Sequence, residues 1–332
     1  MNETWKHYSE ELKTPLPRAP LFDPTKRDNS PVLYVPDPTL VTAVNVAVEL
    51  GLPLLVTGDP GCGKTQLAWH VALLFGEQEP LVFHAKTTST AQDLFYHYNA
   101  LGHFHSSRFD EHSKSIDALK FIHFQALGMA ILRGLPPDEA NEFLVRDEEK
   151  LSGPPVRSVV LIDEIDKAPR DFPNDILDEI ESMAFTIQET SERVPKKGTK
   201  FDPRLRPIVI LTSNLEKSLP DAFLRRCAFF HIPPHTNTQL TDIVRHRIKR
   251  SDTSRLTDAD LDAAVALFQR IRNDLRRKPS ASDLISWVDM LNRSDKLPSD
   301  VTAGDRDALL LTLAVLAKNK EDAERATAAI QR

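Results

Sequence analysis

Eight residues constrain this chain more than any others: Gly58-Asp59-Pro60-Gly61-Cys62-Gly63-Lys64-Thr65 fit the spacing G-x4-G-K-[ST]. They follow a short apolar run at 53–57 and precede Leu67, Val71 and Leu74, which recur at helical spacing until Gly76. A polyphosphate has to be wrapped by backbone N–H groups, so side chains are excluded and glycines supply the required dihedral angles. The helix that follows offers its unpaired N–H groups and positive dipole end to the anion. Lys64 is expected to reach the β- and γ-phosphates and the Thr65 hydroxyl to coordinate magnesium, with Gln66 adjoining the same nucleotide contact. The chain has only 11 glycines, and three of them stand between positions 58 and 63. A chance glycine loop does not explain that concentration between a strand and a helix.

Val159-Val160-Leu161-Ile162-Asp163-Glu164 supplies the complementary half: an apolar strand with two carboxylates at its end. Ligands of open α/β sheets bind beyond the carboxyl ends of the strands, so both acids are expected to face the phosphate loop. Asp163 is assigned to magnesium, through water, and Glu164 to orienting or deprotonating the attacking water. Two acids that merely cap the next element are the bland alternative, and the loop upstream sets it aside. Small-molecule P-loop kinases share the first motif. They transfer phosphate to a bound substrate and need no water-activating Glu, so Glu164 favours hydrolysis.

Apolar runs recur at 53–57, 81–85, 159–162, 208–212 and 228–232, with helical stretches between them. Such runs predict strands of a parallel sheet buried on both faces, and hence an α/β fold. Residues 1–30, punctuated by Pro15, Pro17, Pro20 and Pro24, read as an extended arm. The nucleotide-binding α/β domain is expected over 31–235, with an insertion at about 101–151 holding one helix near 116–132. After Pro233-Pro234 only helical patterns occur, at 238–249, 258–275, 282–292 and 305–319. Residues 236–332 therefore read as an all-helical second domain.

Composition narrows the function classes. The 332 residues are 41% hydrophobic and 27% charged, as in an ordinary soluble protein. The formal charge of −6 argues against a dedicated nucleic-acid binder. Two cysteines, Cys62 and Cys227, make neither a disulfide framework nor a metal cluster, which fits a reducing cytoplasm. The amino terminus lacks the basic start and apolar core of a signal peptide, and the apolar stretch 308–317 falls short of the ~20 residues a membrane helix needs. A soluble, cytoplasmic protein without a membrane segment is expected.

Taken together, GDPGCGKTQLA, VVLIDEIDKAP and IVILTSNLEKSLPDAFLRRC resemble the MoxR branch of the AAA+ ATPases, over about residues 31–232 and more loosely beyond. The resemblance implies an AAA+ P-loop NTPase core with a parallel sheet, followed by an all-helical lid, hydrolysing ATP with magnesium. It implies that Tyr34 and Val35, on the approach to the phosphate loop, line the adenine pocket. Asn214 matches the polar sensor of the γ-phosphate, an amide able to hold the attacking water opposite Glu164; a strand-end turn residue is the alternative. Arg225 and Arg226 stand where the family places its arginine finger, with Arg226 preferred because it directly precedes Cys227. Such a finger reaches the neighbouring subunit's site and neutralises charge on the γ-phosphate, whereas paired arginines elsewhere are often only solvated. The family's lid sensor is an Arg in or after a Pro-containing turn; here Ser280 follows Pro279, which leaves either Arg277 or Lys278 in that role or a lid without the sensor.

The resemblance also implies a homo-oligomeric, usually hexameric, ring that remodels or activates a protein partner, typically one with a von Willebrand factor A domain. The rival function is a nucleic-acid-associated AAA+ ATPase, clamp-loader-like or restriction-like, which DNA or RNA would stimulate strongly. A nucleotide-dependent scaffold is a third reading, and the complete set Lys64, Thr65, Asp163, Glu164 and Asn214 argues against it. Phe95, Tyr96, Tyr98 and Phe104 fall where many AAA+ rings place substrate-facing pore loops, with core packing expected for at least half of them. His97, His103, His105 and His112 lack supporting cysteines or paired carboxylates and read as solvated loop residues rather than a metal site. The basic run at 245–250 reads as a solvated helix face.

Overall fold

The five apolar runs become β1 (Leu54–Gly58), β2 (Leu81–His84), β5 (Val159–Asp163), β8 (Ile208–Ser213) and β9 (Ala228–Ile232). Two short hairpins, β3 (Tyr96–Tyr98) with β4 (Ile122–Phe124) and β6 (Phe185–Ile187) with β7 (Glu192–Val194), lie between them. The computed structural model describes residues 34–76, 79–109, 117–199, 201–248, 256–293 and 312–331. The arm expected at 1–30 and His112 lie outside them. Among the described residues the five strands form one parallel sheet in the order β2-β5-β8-β1-β9. Every carboxyl end, from His84 to Ile232, therefore meets the same edge.

Burial corrects one expectation. The inner strands β1, β5 and β8 are buried almost throughout, as continuous Leu, Val and Ile runs require. The outer strands β2 and β9 are not: both are largely half-exposed, and Phe229 is 59% exposed. An edge strand has a neighbour on one side only, so its apolar residues are less completely covered.

The chain divides into two compact units. The α/β unit comprises residues 36–58 and 64–232. Its first helix, Pro38–Leu50, is bounded by local chemistry: the Asp37 carboxylate accepts the Thr39 N–H at 2.8 Å, Pro38 opens the first turn, and Gly51 closes it at φ +63°. Helix Lys64–Leu74 follows β1 and buries Leu67, Ala68, Val71 and Ala72.

The single helix expected near 116–132 is replaced by a 3-10 turn at Ala118–Phe121, strand β4 and the helix Ala126–Arg133. Phe121-Ile122-His123-Phe124 is aromatic and β-branched, and it pairs antiparallel with β3 instead of coiling. The helix that follows lies against the chain at Phe95; a Cβ at Gly128 would come within 2.0 Å of the Phe95 carbonyl oxygen. Residues of this segment, among them Leu119, Ile122, Leu127, Ile131 and Phe143, join the same core as Val160, Ile162 and Leu211 of the sheet. The stretch at 117–151 is thus built into the main core.

The second unit holds residues 233–332, together with 59–63 and the described residues Tyr34 and Val35. Helices Asn237–Ile248, Asp258–Asp274, Ala281–Arg293 and Lys320–Gln331 pack around Phe268, Trp287 and Leu291, and the Trp287 indole donates to the Thr312 hydroxyl at 2.9 Å. Thr257 and Asp260 form a capping box at the second of these helices. The helix expected at 305–319 falls outside the described residues as far as 311. Within them, Leu313–Val315 is a 3-10 turn and the helix begins only at Lys320. The reason is local: the Asn319 side chain accepts the Asp322 N–H at 2.8 Å and starts the helix there. No described helix is long and apolar enough to cross a membrane.

Candidate nucleotide-hydrolysis site

The phosphate loop leaves β1 at Gly58 and enters the helix at Lys64. Gly58, Gly61 and Gly63 all adopt positive φ, at 147°, 75° and 99°, values that side-chain-bearing residues rarely reach. At Gly63 an added Cβ would also meet the Tyr34 ring at 3.1 Å, so Tyr34 stands against the loop while Val35 is exposed. Lys64 is 6% exposed and its ammonium donates to the Gly58 carbonyl at 2.8 Å, folding back across the loop. Cys62 is buried, with its N–H on the Asp59 carbonyl at 3.2 Å, and Asp59, Pro60 and Gly61 are exposed. The side-chain oxygen of Gln66 is buried without a hydrogen-bond partner.

Across from the loop, the Thr65 hydroxyl donates to Asp163 Oδ1 at 3.1 Å. Magnesium takes hard oxygen ligands and keeps several waters. A threonine hydroxyl beside a carboxylate is a donor set of that kind, with Asp163 able to act through a bound water. Asp163 also accepts from the Thr212 hydroxyl at 2.7 Å, and His84 Nδ1 lies 3.4 Å from its second oxygen. His84 and Asp163 are direct partners in the β2–β5 register, so the sheet itself brings them together.

Glu164 departs from the strand in the left-handed region, φ 57° and ψ 49°, which turns the chain sharply after β5. Its N–H donates to the Thr212 oxygen at 2.8 Å, so one hydroxyl holds both acids: Asp163 by its side chain and Glu164 by its backbone. Asn214, directly after β8, donates from Nδ2 to Glu164 Oε1 at 3.2 Å. Lys167 donates to Glu164 Oε2 at 2.5 Å, and this hydrogen bond raises the lysine's pKa above its ordinary value. Asp166 is 2% exposed and accepts the Glu216 N–H at 2.9 Å, tying the turn after β5 to the turn after β8. The structure thus brings Lys64, Thr65, Asp163, Glu164 and Asn214 to one edge. Sequence reasoning passed over His84, Thr212, Asp166 and Lys167. Thr212 left a signal, as a hydroxyl inside an apolar strand.

Arg225 and Arg226 are elsewhere. They precede β9, whose first residue Ala228 pairs with Leu54 at the start of β1, while Ile232 pairs with Gly58 at its end. Four residue steps of strand, about 13 Å at ~3.3 Å each, separate that edge from the phosphate loop. Arg226 is half-exposed, and its Nε lies 3.7 Å from the exposed Glu181 carboxylate. Arg206 organises this edge: its guanidinium donates to the carbonyls of Gly51, Ile180 and Glu181 at 2.8–3.0 Å. Burial pushes the Cys227 thiol up to about 12.

The aromatic cluster divides, and half of it packs in the core as expected. Phe95 and Tyr96 are buried, stack on Phe185 at 4.9 and 6.1 Å, and cannot line a pore. The Tyr96 hydroxyl accepts the Gln188 N–H, and burial pushes it up to about 12. Tyr98 is half-buried against His103, whereas Phe104 is exposed. Among the described residues no group of three His, Cys, Asp or Glu is placed to hold a metal ion. In the helical unit, Lys278 donates to the Asn273 carbonyl and the Arg277 N–H to Asp322. Ser280 caps the helix Ala281–Arg293 through mutual bonds with Asp283.

The AAA domain of the dynein-related subfamily matches residues 53–227. No curated protein matches the chain. Among solved structures, the Holliday junction branch migration motor RuvB of Thermotoga maritima resembles it at 17% identity, covering 86% of this chain and 69% of that one, with a TM-score of 0.45. A variant of the same motor matches at 18% identity over the same shares, with a TM-score of 0.42. The family match spans more than half of the chain and takes in the phosphate loop, both acids, Asn214 and the arginine pair: the chain belongs to the dynein-related AAA family and is an ATP-hydrolysing AAA+ protein.

Proposed function

We propose that this ATPase is MoxR-like and works as a homo-oligomeric ring that remodels or activates a partner protein. In this reading Lys64, Gly58–Gly63 and Gln66 hold the phosphates, Tyr34 and Val35 border the adenine, and Thr65 and Asp163 hold magnesium. Bound there, the ion neutralises charge on the β- and γ-phosphates. Glu164 takes the proton of the attacking water, and Asn214 orients the Glu164 carboxylate and that water.

The observation that carries the ring is the place of Arg226. It is exposed and lies at the strand-start edge, about 13 Å of β-strand from its own phosphate loop. An arginine there is too far to serve the site of its own chain and free to serve a neighbour's. The test uses two variants. Glu164→Gln and Arg226→Ala should each be nearly inactive alone, while mixing them under conditions of subunit exchange should restore activity. Some interfaces then pair an intact Glu164 with a neighbour's intact Arg226. A dead mixture, with exchange confirmed by subunit labelling, sinks the shared-site reading. Strong stimulation of the wild-type ATPase by DNA or RNA, with none by a von Willebrand factor A domain protein, would favour the nucleic-acid motor instead.

A further inference from the structure

Glu164 is held on both sides. Oε1 accepts from Asn214, which comes from β8, and Oε2 accepts from Lys167, only three residues along the same chain. The lysine contact is built by the local fold. Ile165–Lys167 is a 3-10 turn closed by the Lys167 N–H on the Glu164 carbonyl at 2.9 Å. Lys167 thus stands three residues after Glu164 and reaches its carboxylate from within the same short segment. Its two side chains are 41% and 37% exposed, so water and salt reach it and it is readily exchanged. Asp166 and Glu216 act on the same ammonium.

The geometry points to Lys167 as a positioning residue that restrains basal hydrolysis: it is an exchangeable counter-ion that keeps Glu164 turned to itself and less available to water. This rests on Glu164 being the group that takes the water's proton. Asn214 holds the carboxylate in register while Lys167 damps it, so the two contacts have opposite effects on turnover although they meet the same side chain. Asp166 has a separate task, since its bond to the Glu216 N–H anchors the loop after β8.

The test compares the wild type with Lys167→Met, Lys167→Arg, Glu164→Gln and Lys167→Met/Glu164→Gln. Lys167→Met should raise basal kcat about two- to five-fold, the range set by losing one solvent-exposed ion pair. The Kd for a fluorescent ATP analogue should not move, and Lys167→Arg should stay near wild type. Raising the salt concentration should speed the wild type relative to Lys167→Met, because salt screens only the pair that is still present. On the nucleotide-free protein, hydrogen exchange at the Glu216 amide should be the same in wild type and Lys167→Met. A fall in kcat, an unchanged kcat, an identical salt response, or loss of Glu216 protection overturns the proposal. The double variant separates its failure from that of the underlying reading. If Glu164→Gln turns over like wild type with or without Lys167, the base assignment is at fault; if it is inactive and Lys167→Met is unaccelerated, the restraint is.

Discussion

Thr212→Val removes one hydroxyl and almost no volume, which makes it a clean probe of how the acids are held. Thr212 is 1% exposed, and its hydroxyl donates to Asp163 Oδ1 at 2.7 Å and accepts the Glu164 N–H at 2.8 Å. A hydrogen bond to a charged group contributes about 1.5–3 kcal/mol, and a buried N–H left without a partner costs about 1–3 kcal/mol. Some of this is recovered by the added methyl, which leaves an expected loss of about 2–4 kcal/mol. For a domain of this size roughly 2–4 °C of melting temperature goes with each kcal/mol, so the nucleotide-free protein should melt about 5–15 °C lower. Turnover should fall roughly 10- to 100-fold, because both carboxylates lose the group that fixes their spacing. Scanning calorimetry and a coupled ATPase assay measure the two effects, with Thr212→Ser, which keeps the hydroxyl, as the control. A variant melting within 2 °C of wild type with its ATPase intact would refute the claim that this hydroxyl organises the site (a threshold of about half a kcal/mol).

Three further outcomes are expected. Lys64→Ala should lose tight ATP binding, measured by equilibrium titration with a fluorescent analogue, whereas Glu164→Gln should bind normally and hydrolyse at least ~10²-fold more slowly. Gly128→Ala drives a methyl into the Phe95 backbone, where only the chain can move, and should cost at least ~3 kcal/mol, read as a depressed melting temperature and a poor soluble yield. Iodoacetamide at pH 8 should leave the folded protein nearly unlabelled by mass spectrometry, because burial pushes the Cys227 thiol up to about 12 and Cys62 is covered; denaturant should expose both.

Legibility followed length of signal. The strands of the sheet could be read because a buried parallel strand writes itself as an uninterrupted apolar run, as in Val159-Val160-Leu161-Ile162. The two hairpins could not. Each of their strands is three residues long, and Phe185-Thr186-Ile187 pairing with Glu192-Arg193-Val194 is settled by burial against Phe95 rather than by a local pattern. At the site, the residues with a fixed spacing, Lys64, Thr65, Asp163 and Glu164, were visible from the motif. Asp166 and Lys167 stand in the same run, VVLIDEIDKAP, but nothing in its spacing gives them a role. Their partners, Glu216 N–H and the Glu164 carboxylate, become apparent only once the turns after β5 and β8 lie side by side. Phe95 and Tyr96 carried the composition of a pore loop and the burial of a core, and one sequence cannot separate the two.

The parallel sheet gives the α/β unit two chemically different edges, and this polarity explains why one chain is half a machine in the proposed ring. At the strand-end edge stand a lysine, a threonine and two carboxylates, organised by Thr212 and Asn214. At the strand-start edge stand Arg206 and Arg226 with Glu181. Arg206 is committed to three backbone carbonyls, so its charge is used within the fold, while the ion pair of Arg226 among the described residues is with an exposed carboxylate 3.7 Å away. A pair so exposed contributes little stability, and giving it up costs correspondingly little. In the proposed ring, Arg226 would therefore be released to a stronger anion, a γ-phosphate on an adjacent subunit, without disturbing the edge that Arg206 secures. Substituting Glu181 by Gln should leave folding intact and, if anything, favour the shared site; substituting Arg206 should damage both units of backbone it joins. The two arginines share an edge, and what they are bonded to separates the structural one from the one available for catalysis.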